Sequence, residues 1–455
     1  MAGKNIKFLE KSPVKLNFTQ KLMTPYGGFA LVAKLFEKLE LKEHLEQIFP
    51  VVESSPNGTG IYAKVLRFGL TVLAGGKRFS HGLFLAGSEP VQAALFGVKR
   101  LPSSSSALTR FFRGISSWQK SVALAEGLWQ YQFERVIPWQ KVGEDYLSFD
   151  TTVVVRYGQQ EGARKGPNPK KKGRPSHHPI LAVLAEANFV LHSWLRSGNS
   201  GASRGVVEFL KEAMALLGSK HGLRLVRADS GFLDNRLLSY LEGEKVHYIV
   251  VARMTKLVKQ ELARVSLWRD LDSFYSVGEF KAKLLGWDRQ RRFAVIRERK
   301  REEKGSLGRS LFDIPDYTFR VFVSSLEASP EEIWREYNQR ATIENRIAEL
   351  KYDLAADDFC MHKFFATEAA FRGVTFLYNL LTEFQRAVGF GRYQRAATLR
   401  SAIFLCGAIL GTAGRRTLLF LSESWGGLKS RTPLFDKLLT YAFPTSPKLV
   451  GEAIT

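Results

Sequence analysis

Three acidic residues stand in local settings that could support metal-dependent chemistry. Asp150 ends the apolar run of residues 146–149, Asp229 ends the run of residues 223–228, and Glu344 lies in a segment with helical spacing. A carboxylate beside an apolar core is costly unless something pairs with it. Three converging carboxylates can hold two divalent cations, an arrangement that breaks phosphodiester bonds by in-line displacement. Because carboxylate and water ligands suit Mg²⁺ or Mn²⁺ better than zinc, we expect a magnesium site at Asp150, Asp229 and Glu344.

The segment around Glu344 combines this carboxylate with groups that can bind phosphate. Tyr337, Arg340, Glu344 and Lys351 are separated by three, four and seven residues, steps that keep side chains on one face of an α-helix. Arg340 can bind two phosphate oxygens, Lys351 can supply a point charge, and Tyr337 can donate a hydrogen bond. We predict one helix, beginning after the Ser329 cap, that presents all four side chains together.

Each acidic residue also has an ordinary structural explanation when it is considered alone. Asp229 could be a turn aspartate, and Asp150 could cap the end of a strand. Glu344 could form a solvated ion pair on a helix surface. The order of the predicted strands around the three residues favours a shared site over three separate coincidences.

Composition points to a partner that carries many negative charges. The 455 residues include 67 Lys and Arg against 44 Asp and Glu, which gives a net charge of +23, and nucleic acid is the partner that such an excess favours. A basic protein without such a partner is the alternative. The two cysteines cannot form a disulfide framework, which fits a reducing compartment. We find no signal-peptide pattern or membrane-spanning run, so we expect a cytoplasmic protein with no membrane partner.

The pattern of apolar residues divides the chain into segments of different character. Residues 1–140 are predicted to form a helical, DNA-binding N-terminal domain. Residues 141–252 predict the order strand, strand, strand, helix, strand, helix, strand, and residues 326–364 add the helix that contains Glu344. A β-rich insertion of residues 253–325 separates these two parts of one catalytic core. Residues 365–455 are predicted to form a helical C-terminal domain, a candidate for dimerisation.

With these features the chain resembles the DDE transposases of bacterial insertion sequences, especially the subgroup marked by Tyr-x2-Arg-x3-Glu-x6-Lys. Every spacing of that motif is matched by Tyr337, Arg340, Glu344 and Lys351. The sequence Gly-Arg-Pro-Ser-His-His-Pro at residues 173–179 is typical of one branch of the subgroup, and the resemblance covers about residues 145–355. The order of elements is that of the ribonuclease H-like fold, in which the first and fourth strands are neighbours. Asp150 and Asp229 would then lie side by side.

The resemblance implies an α/β protein with a ribonuclease H-like mixed sheet, a β-rich insertion, and helical N- and C-terminal domains. It implies a metal-dependent DNA transposase that cleaves and transfers strands in cut-and-paste transposition. The partners would be double-stranded DNA, as terminal inverted repeats and target DNA, and a second copy in a homodimer that brings two ends together. Two alternatives remain: a nuclease or resolvase of the same fold, and a catalytically inactive DNA-binding regulator.

A basic loop follows the strand that carries Asp150. Glycine and proline recur through residues 156–174, so the segment cannot form a helix, and its proximity to the predicted metal site favours contact with the DNA backbone. A solvated surface is the alternative. The predicted DNA-binding residues of this loop are Arg156, Arg164, Lys165, Lys170, Lys171, Lys172 and Arg174.

Aromatic residues in the insertion are candidates for a further DNA contact. In transposases that form hairpins, an aromatic residue of this region stacks on a flipped base, and such stacking is tolerant of sequence. The strand before the Glu344 helix contains Tyr317, Phe319 and Phe322 but no tryptophan, and Trp287 is the nearest one. Strand alternation predicts that Phe322 faces the core while the first two share the other face. Core packing of all these aromatics is the alternative.

Overall fold

The computed structural model describes residues 19–51, 53, 57–136, 145–168, 171–185, 187–217, 223–299, 317–424 and 428–443. None of the helices in these ranges is long and apolar enough to cross a bilayer.

The chain folds into two compact units, which we name the terminal unit and the central unit. The terminal unit combines the chain up to Gln47 with Val52–Phe111 and Phe384–Ala442, and the central unit contains Phe112–Glu383. This differs from the predicted arrangement of separate N- and C-terminal domains. Segments far apart in sequence share the terminal unit, because their apolar faces pack into one core, which spacing within each segment does not reveal.

From residue 22 to residue 251 the helices and strands follow one another as β1 (Leu22–Thr24), α1 (Phe29–Lys38), α2 (Leu41–Ile48), α3 (Ile61–Leu73), α4 (Glu89–Leu95), α5 (Ser105–Arg113), α6 (Trp118–Arg135), β2 (Asp145–Thr151), β3 (Val154–Val155), β4 (Ser176–His177), β5 (Ile180–Leu184), β6 (Phe189–Trp194), α7 (Val206–Leu217), β7 (Leu223–Ala228), α8 (Asn235–Gly243) and β8 (His247–Val251). Short 3₁₀ segments occupy Phe79–Ser88 and Ser230–Phe232.

The remaining elements are α9 (Lys256–Ala263), β9 (Arg269–Asp270), β10 (Tyr275–Ala282), β11 (Arg291–Arg299), β12 (Tyr317–Ser324), α10 (Pro330–Asn338), α11 (Ala341–Tyr352), α12 (Phe364–Ala387), α13 (Ala396–Leu399), β13 (Ala408–Ala413), β14 (Arg416–Leu421) and α14 (Leu428–Thr440). A π-helical turn, Arg400–Phe404, follows α13.

A nine-stranded mixed sheet runs through the central unit in the order β6-β5-β2-β7-β8-β12-β11-β10-β9. β2 pairs antiparallel with β5 and parallel with β7, and β7 pairs parallel with β8. The predicted order of strands and helices is therefore confirmed, and so is the prediction that the first and fourth main strands are neighbours. Strands inside such a sheet are apolar on both faces, and β5 accordingly is buried along its whole length.

The β-rich insertion continues this sheet. β12 pairs antiparallel with β8, so that Phe322 lies opposite Val251, and β11, β10 and β9 follow outward. Phe322 is 1% exposed, which confirms its predicted core position. Residues 300–316 of the predicted insertion lie outside the described residues. One hydrophobic core joins the insertion to the strands before it, through Leu225, Ile249, Val277, Ala294, Ile296, Phe322 and Ile333.

The segment that contains the Tyr-Arg-Glu-Lys motif forms two helices, whereas the sequence predicted one. α10 begins at a complete capping box, in which the Ser329 side chain accepts from the Glu332 amide and the Glu332 carboxylate accepts from the Ser329 amide. The helix is interrupted at Gln339 and Arg340, and α11 begins at Ala341. The motif therefore spans a helix junction, which periodicity does not detect because three-residue and four-residue steps continue through it.

A buried charge fixes the end of α10 against the sheet. Arg227 of β7 has a fully buried side chain, and its Nη1 lies 3.0 Å from the Glu336 carboxylate and donates to the Glu336 carbonyl at 3.0 Å. Its guanidinium also lies over the Tyr146 ring at 5.4 Å. Because an unpaired buried charge is strongly destabilising, this pairing restricts where α10 can lie on the sheet.

The terminal unit contains a small antiparallel sheet in the order β1-β13-β14, so the region of residues 365–455, predicted to be helical, also contains two strands. β13 and β14 form a hairpin that pairs Ala413 with Arg416, and Gly414 in the turn has a φ of +60°, which glycine adopts without steric cost. Short apolar runs do not distinguish helix from strand by periodicity, and the turn glycine was the signal that favoured a hairpin.

We expect the substitution Ser329→Ala to lower the free energy of unfolding by about 1 kcal/mol, because it leaves amides of the first turn of α10 without their acceptor. Chemical denaturation followed by circular dichroism measures this change. Ser266→Ala, at an exposed serine in a loop, is the matched control and should leave stability unchanged. Equal stability of the two variants would contradict a stabilising role for the capping box.

Candidate active site

Asp150 lies near the end of β2 with a largely buried carboxylate. Its side chain is 15% exposed, and its Oδ2 lies 2.8 Å from Nη2 of Arg340, while its Oδ1 accepts from the Thr151 amide at 2.7 Å. Burial raises the pKa of Asp150 to about 6; the Arg340 charge opposes this shift and the nearby Asp229 carboxylate adds to it. Asp150 and Asp229 thus lie close enough to influence each other electrostatically.

Asp229 directly follows β7, at the same edge of the sheet. Its side chain caps the 3₁₀ turn Ser230–Phe232 by accepting from the Gly231 amide at 2.9 Å, so the turn explanation holds locally. The ring of Phe232 packs edge-on against Phe149 of β2 at 4.8 Å. Because that contact joins the two strand ends, it also maintains the approach of the two carboxylates.

Arg340 connects the acidic residues of the sheet and the helix. Its Nη2 pairs with Asp150 and its Nη1 lies 3.4 Å from Oε1 of Glu344. The Arg340 side chain is 5% exposed, whereas that of Glu344 is 67% exposed. Glu344 therefore reaches the site from α11 through the guanidinium, on the solvent side of the carboxylate pair.

Within the described ranges, no three His, Cys, Asp or Glu side chains are grouped closely enough to hold a metal ion. The donor chemistry nevertheless fits a divalent cation. Asp150 and Asp229 are hard oxygen donors, and burial together with mutual repulsion disfavours the ionised form of Asp150. A cation between these carboxylates would remove that penalty. Glu344 has the right donor type, and Arg340 supplies the positive charge between it and Asp150.

Tyr337 and Lys351 were predicted to bind phosphate. In the structure both side chains make contacts within the protein. Tyr337 packs against Phe322 with ring centroids 4.9 Å apart. Burial is the main cause of the raised pKa of its hydroxyl, and the carboxylates of Asp150, Asp229 and Glu344 raise that pKa further. Lys351 Nζ donates to the Val153 carbonyl at 2.9 Å and to the Thr152 hydroxyl at 3.2 Å. It thereby ties α11 to the chain that leaves β2.

The basic loop has an exposed part and a buried base. Arg156 was predicted to contact DNA, but its side chain is only 4% exposed. It donates hydrogen bonds to Nδ1 of His177 and to the Asp357 carbonyl. Burial also lowers the pKa of His177 to about 4, which suits a neutral acceptor. Lys170 lies outside the described residues. The exposed basic residues of the loop are Arg164, Lys165, Lys171, Lys172 and Arg174.

Arg253 is a residue of the site that the sequence did not single out. Its Nε donates to the Ser230 carbonyl at 2.7 Å and its Nη2 donates to the Gly231 carbonyl at 3.0 Å. The exposed guanidinium thus holds the turn that Asp229 caps. Arg253 follows β8, the strand beside β7, and this position after a parallel strand was the signal that could have identified it.

The aromatic candidates of the insertion lie in two environments. Trp287 is 8% exposed and stacks on Phe293 at 5.8 Å, which places it in a core. Tyr317 and Phe319 lie together on the other face of β12 with ring centroids 6.4 Å apart, and the guanidinium of Arg297 lies 4.9 Å from the Tyr317 ring. These two partly exposed aromatics remain candidates for stacking.

Comparison with known protein families identifies the family to which this chain belongs. A family model described as "Transposase DDE domain group 1" matches residues 6–440 of the chain. The chain belongs to this family of DDE transposases.

Among solved structures, this DDE transposase is similar to a piggyBac transposase determined by cryo-electron microscopy as a synaptic complex with hairpin DNA. The two share 13% sequence identity, the match covers 85% of this chain and 88% of that chain, and the TM-score is 0.38. No curated protein matches the sequence.

We expect Asp150→Asn to stabilise the protein at pH 7.5 in the absence of divalent cations. The pKa of Asp150 is raised from 3.8 to about 6 in the folded state. Protonated Asp150 therefore stabilises the folded protein below about pH 4, and this stabilisation is lost as the pH rises through 6. The ionised carboxylate should cost on the order of 2–3 kcal/mol at pH 7.5, and asparagine mimics the neutral form.

Urea denaturation in EDTA at pH 7.5 and pH 4 measures this difference. The variant should be more stable than the wild type at the higher pH, and the two should converge at the lower one. Asp234→Asn is the control, since asparagine replaces aspartate equally well as the cap of α8 that Asp234 provides. A constant difference at both pH values would contradict the raised pKa.

Proposed function

We propose that this protein is the DNA transposase of a bacterial insertion sequence, in the subgroup marked by Tyr-x2-Arg-x3-Glu-x6-Lys, and that it acts by cut-and-paste. The observation that carries the proposal is the placement of Asp150 and Asp229 at the ends of neighbouring parallel strands, in a chain that belongs to the DDE transposase family. Terminal inverted repeats and target DNA are the proposed nucleic-acid partners.

The sheet supports a ribonuclease H-like catalytic core. Three antiparallel strands, β6, β5 and β2, are followed across the sheet by β7 and β8, which run parallel to β2. The proposed core thus combines the first strands of the central unit with α11, while the insertion lengthens the sheet on the far side of β8. In such a sheet, side chains that leave the ends of parallel strands meet at one edge.

Asp150, Asp229 and Glu344 are the proposed ligands of Mg²⁺, for which Mn²⁺ should substitute. When bound, the cations would activate the attacking oxygen and stabilise the leaving 3′ oxygen of a phosphodiester. Asp150 must be ionised to act as a ligand, and Arg340 favours that form by pairing with it at 2.8 Å. Arg340 and Glu344 approach from the helix side, so a phosphate at the site would compete with these carboxylates for the guanidinium.

DNA binding is proposed to draw on charges spread over the protein. The net charge of +23 gives long-range attraction to a duplex. The exposed lysines and arginines of the basic loop lie on the connection between β3 and β4, and Arg156 anchors the base of that connection to the backbone of Asp357. Binding should therefore survive the loss of any single carboxylate of the active site.

We expect Asp150→Ala, Asp229→Ala and Glu344→Ala each to abolish cleavage of a transposon end in Mg²⁺, because a divalent ion then lacks one of its ligands. Affinity for the same end should change by less than about threefold, since phosphate contacts carry most of it. Nicking assays and gel-shift titrations on one end substrate measure the two quantities. Glu327→Ala, at an exposed loop glutamate, is the matched control. Wild-type cleavage by any of the three variants would refute the assignment of that residue.

We expect alanine substitution of Lys171 and Lys172 to weaken end binding and to reduce its salt dependence. Each lost phosphate contact should lower the slope of log affinity against log salt by about one. Lys170, predicted to act with them, is added in a triple variant. Lys259→Ala with Lys256→Ala, in α9, provides a control with the same loss of charge. An unchanged slope in the loop variant would show that the loop is solvated surface.

A further inference from the structure

A glycine-rich loop, residues 197–205, connects β6 to α7 in the central unit. Its sequence is Ser-Gly-Asn-Ser-Gly-Ala-Ser-Arg-Gly, and we name it the glycine loop. Arg196 supports this loop from inside. The Arg196 side chain is buried, and its Nη1 donates to three carbonyls of the loop, those of Gly201, Ala202 and Arg204, at 3.3, 3.2 and 2.9 Å. Because a buried guanidinium needs partners inside the protein, these contacts restrict the shape of the loop.

The glycine loop contacts both the basic loop and the turn that Asp229 caps. A Cβ added to Gly166 of the basic loop would overlap the Gly198 carbonyl. A Cβ added to Gly231 of the Asp229 turn would lie 2.8 Å from the Cβ of Ala202. Both contacts need a glycine, since a side chain there would meet the neighbouring segment. The glycine loop therefore joins the basic loop to the candidate active site.

Four exposed cations lie along these three connected segments. They are Arg164 and Lys165 of the basic loop, Arg204 of the glycine loop, and Arg253 beside the Asp229 turn. Among the described residues none of the four forms an ion pair, whereas Arg264 and Arg335, which are 74% exposed, pair with neighbouring glutamates. An external anion is therefore the partner that remains for these charges, and the regularly spaced phosphates of a DNA strand suit a series of cations.

Arg253 and Gly201 supply a donor and open space for a phosphate beside the Asp229 turn. Nε and Nη2 of Arg253 donate to the Ser230 and Gly231 carbonyls. These bonds fix the guanidinium and leave Nη1 without a partner among the described residues. Gly201 is exposed, and a Cβ added there would meet nothing within 4 Å. The surface of the glycine loop is therefore open to close approach by a phosphate.

We propose that the glycine loop, Arg204 and Arg253 form a phosphate-binding site for the backbone of the DNA strand that enters the candidate active site. The strand follows the basic loop, crosses the glycine loop and reaches Asp229, with its phosphates on the four exposed cations. Contacts of this kind position a strand without reading its sequence. The site rests on the proposed DNA cleavage and deepens it. Binding at the site requires no divalent cation, so it is measured separately from cleavage.

The salt dependence of binding to an arbitrary DNA duplex, measured on the full-length protein in EDTA, gives the first test. Arg204→Ala and Arg253→Ala should each lower the slope of log affinity against log salt by about one, because each removes one phosphate contact. Arg236→Ala, at an arginine of α8 whose side chain is 89% exposed, is the matched control and should keep the wild-type slope. An unchanged slope in either of the first two variants would overturn the proposal.

Filling the open space at Gly201 separates close contact from diffuse attraction by positive charge. Gly201→Leu should weaken duplex binding about tenfold, because the added side chain occupies the place of the phosphate and breaks its hydrogen bonds. The melting temperature should not change, since a Cβ at this position meets no neighbouring atom. Gly391→Leu is the control, because Gly391 of the terminal unit has the same open space. Wild-type affinity of Gly201→Leu would refute the phosphate site.

Single methylphosphonate substitutions along a transposon end locate the bound phosphate. In EDTA the wild type should lose about tenfold in affinity when this neutral group stands at a position near the cleaved bond. Arg204→Ala and Arg253→Ala should lose less than about twofold at that position, because the contact is already absent. Wild-type losses at every position in both variants would overturn the proposal. Cleavage of the same end by the wild type in Mg²⁺ is scored separately, which distinguishes failure of the phosphate site from failure of the proposed function.

Discussion

The candidate active site depends on the electrostatic cost of placing two carboxylates side by side at the edge of a sheet. Asp150 is mostly buried, and burial together with Asp229 raises its pKa to about 6. The Arg340 guanidinium, which lies 2.8 Å from the Asp150 carboxylate, opposes this rise in pKa. The proposed cations would add positive charge at the same place and would further favour the ionised form of Asp150.

The elements around the site can be understood as supports for this arrangement. Arg340 can reach β2 only because α10 is fixed on the sheet, and two contacts fix it: Arg227 pairs with Glu336, and Tyr337 packs on Phe322 of the insertion. Lys351 then ties α11 to the backbone after β2. The long insertion therefore contributes to the site from a distance, since β12 supplies the surface on which α10 ends.

Positive charge is divided between buried, hydrogen-bonded positions and exposed ones. Arg156 and Arg227 are buried and hydrogen-bonded, so they maintain the loop base and the helix position. The exposed lysines and arginines of the basic loop are available to phosphate. This division follows from desolvation, because a buried guanidinium is stable only with partners inside the protein, whereas a phosphate-binding cation must remain accessible.

The sequence by itself determined the order of strands and helices in the central unit, the two aspartates at strand ends and the spacing of the Tyr-Arg-Glu-Lys motif. These features are local, since apolar periodicity, caps and strand-end polar residues act over a few positions. The neighbouring placement of Asp150 and Asp229 followed from the resemblance to a known fold. Tertiary structure alone decided that Arg340 bridges Asp150 and Glu344, that Arg156 is buried, and that β1 joins β13 and β14. Each of these depends on contacts between segments distant in the chain, whose energies no local pattern records.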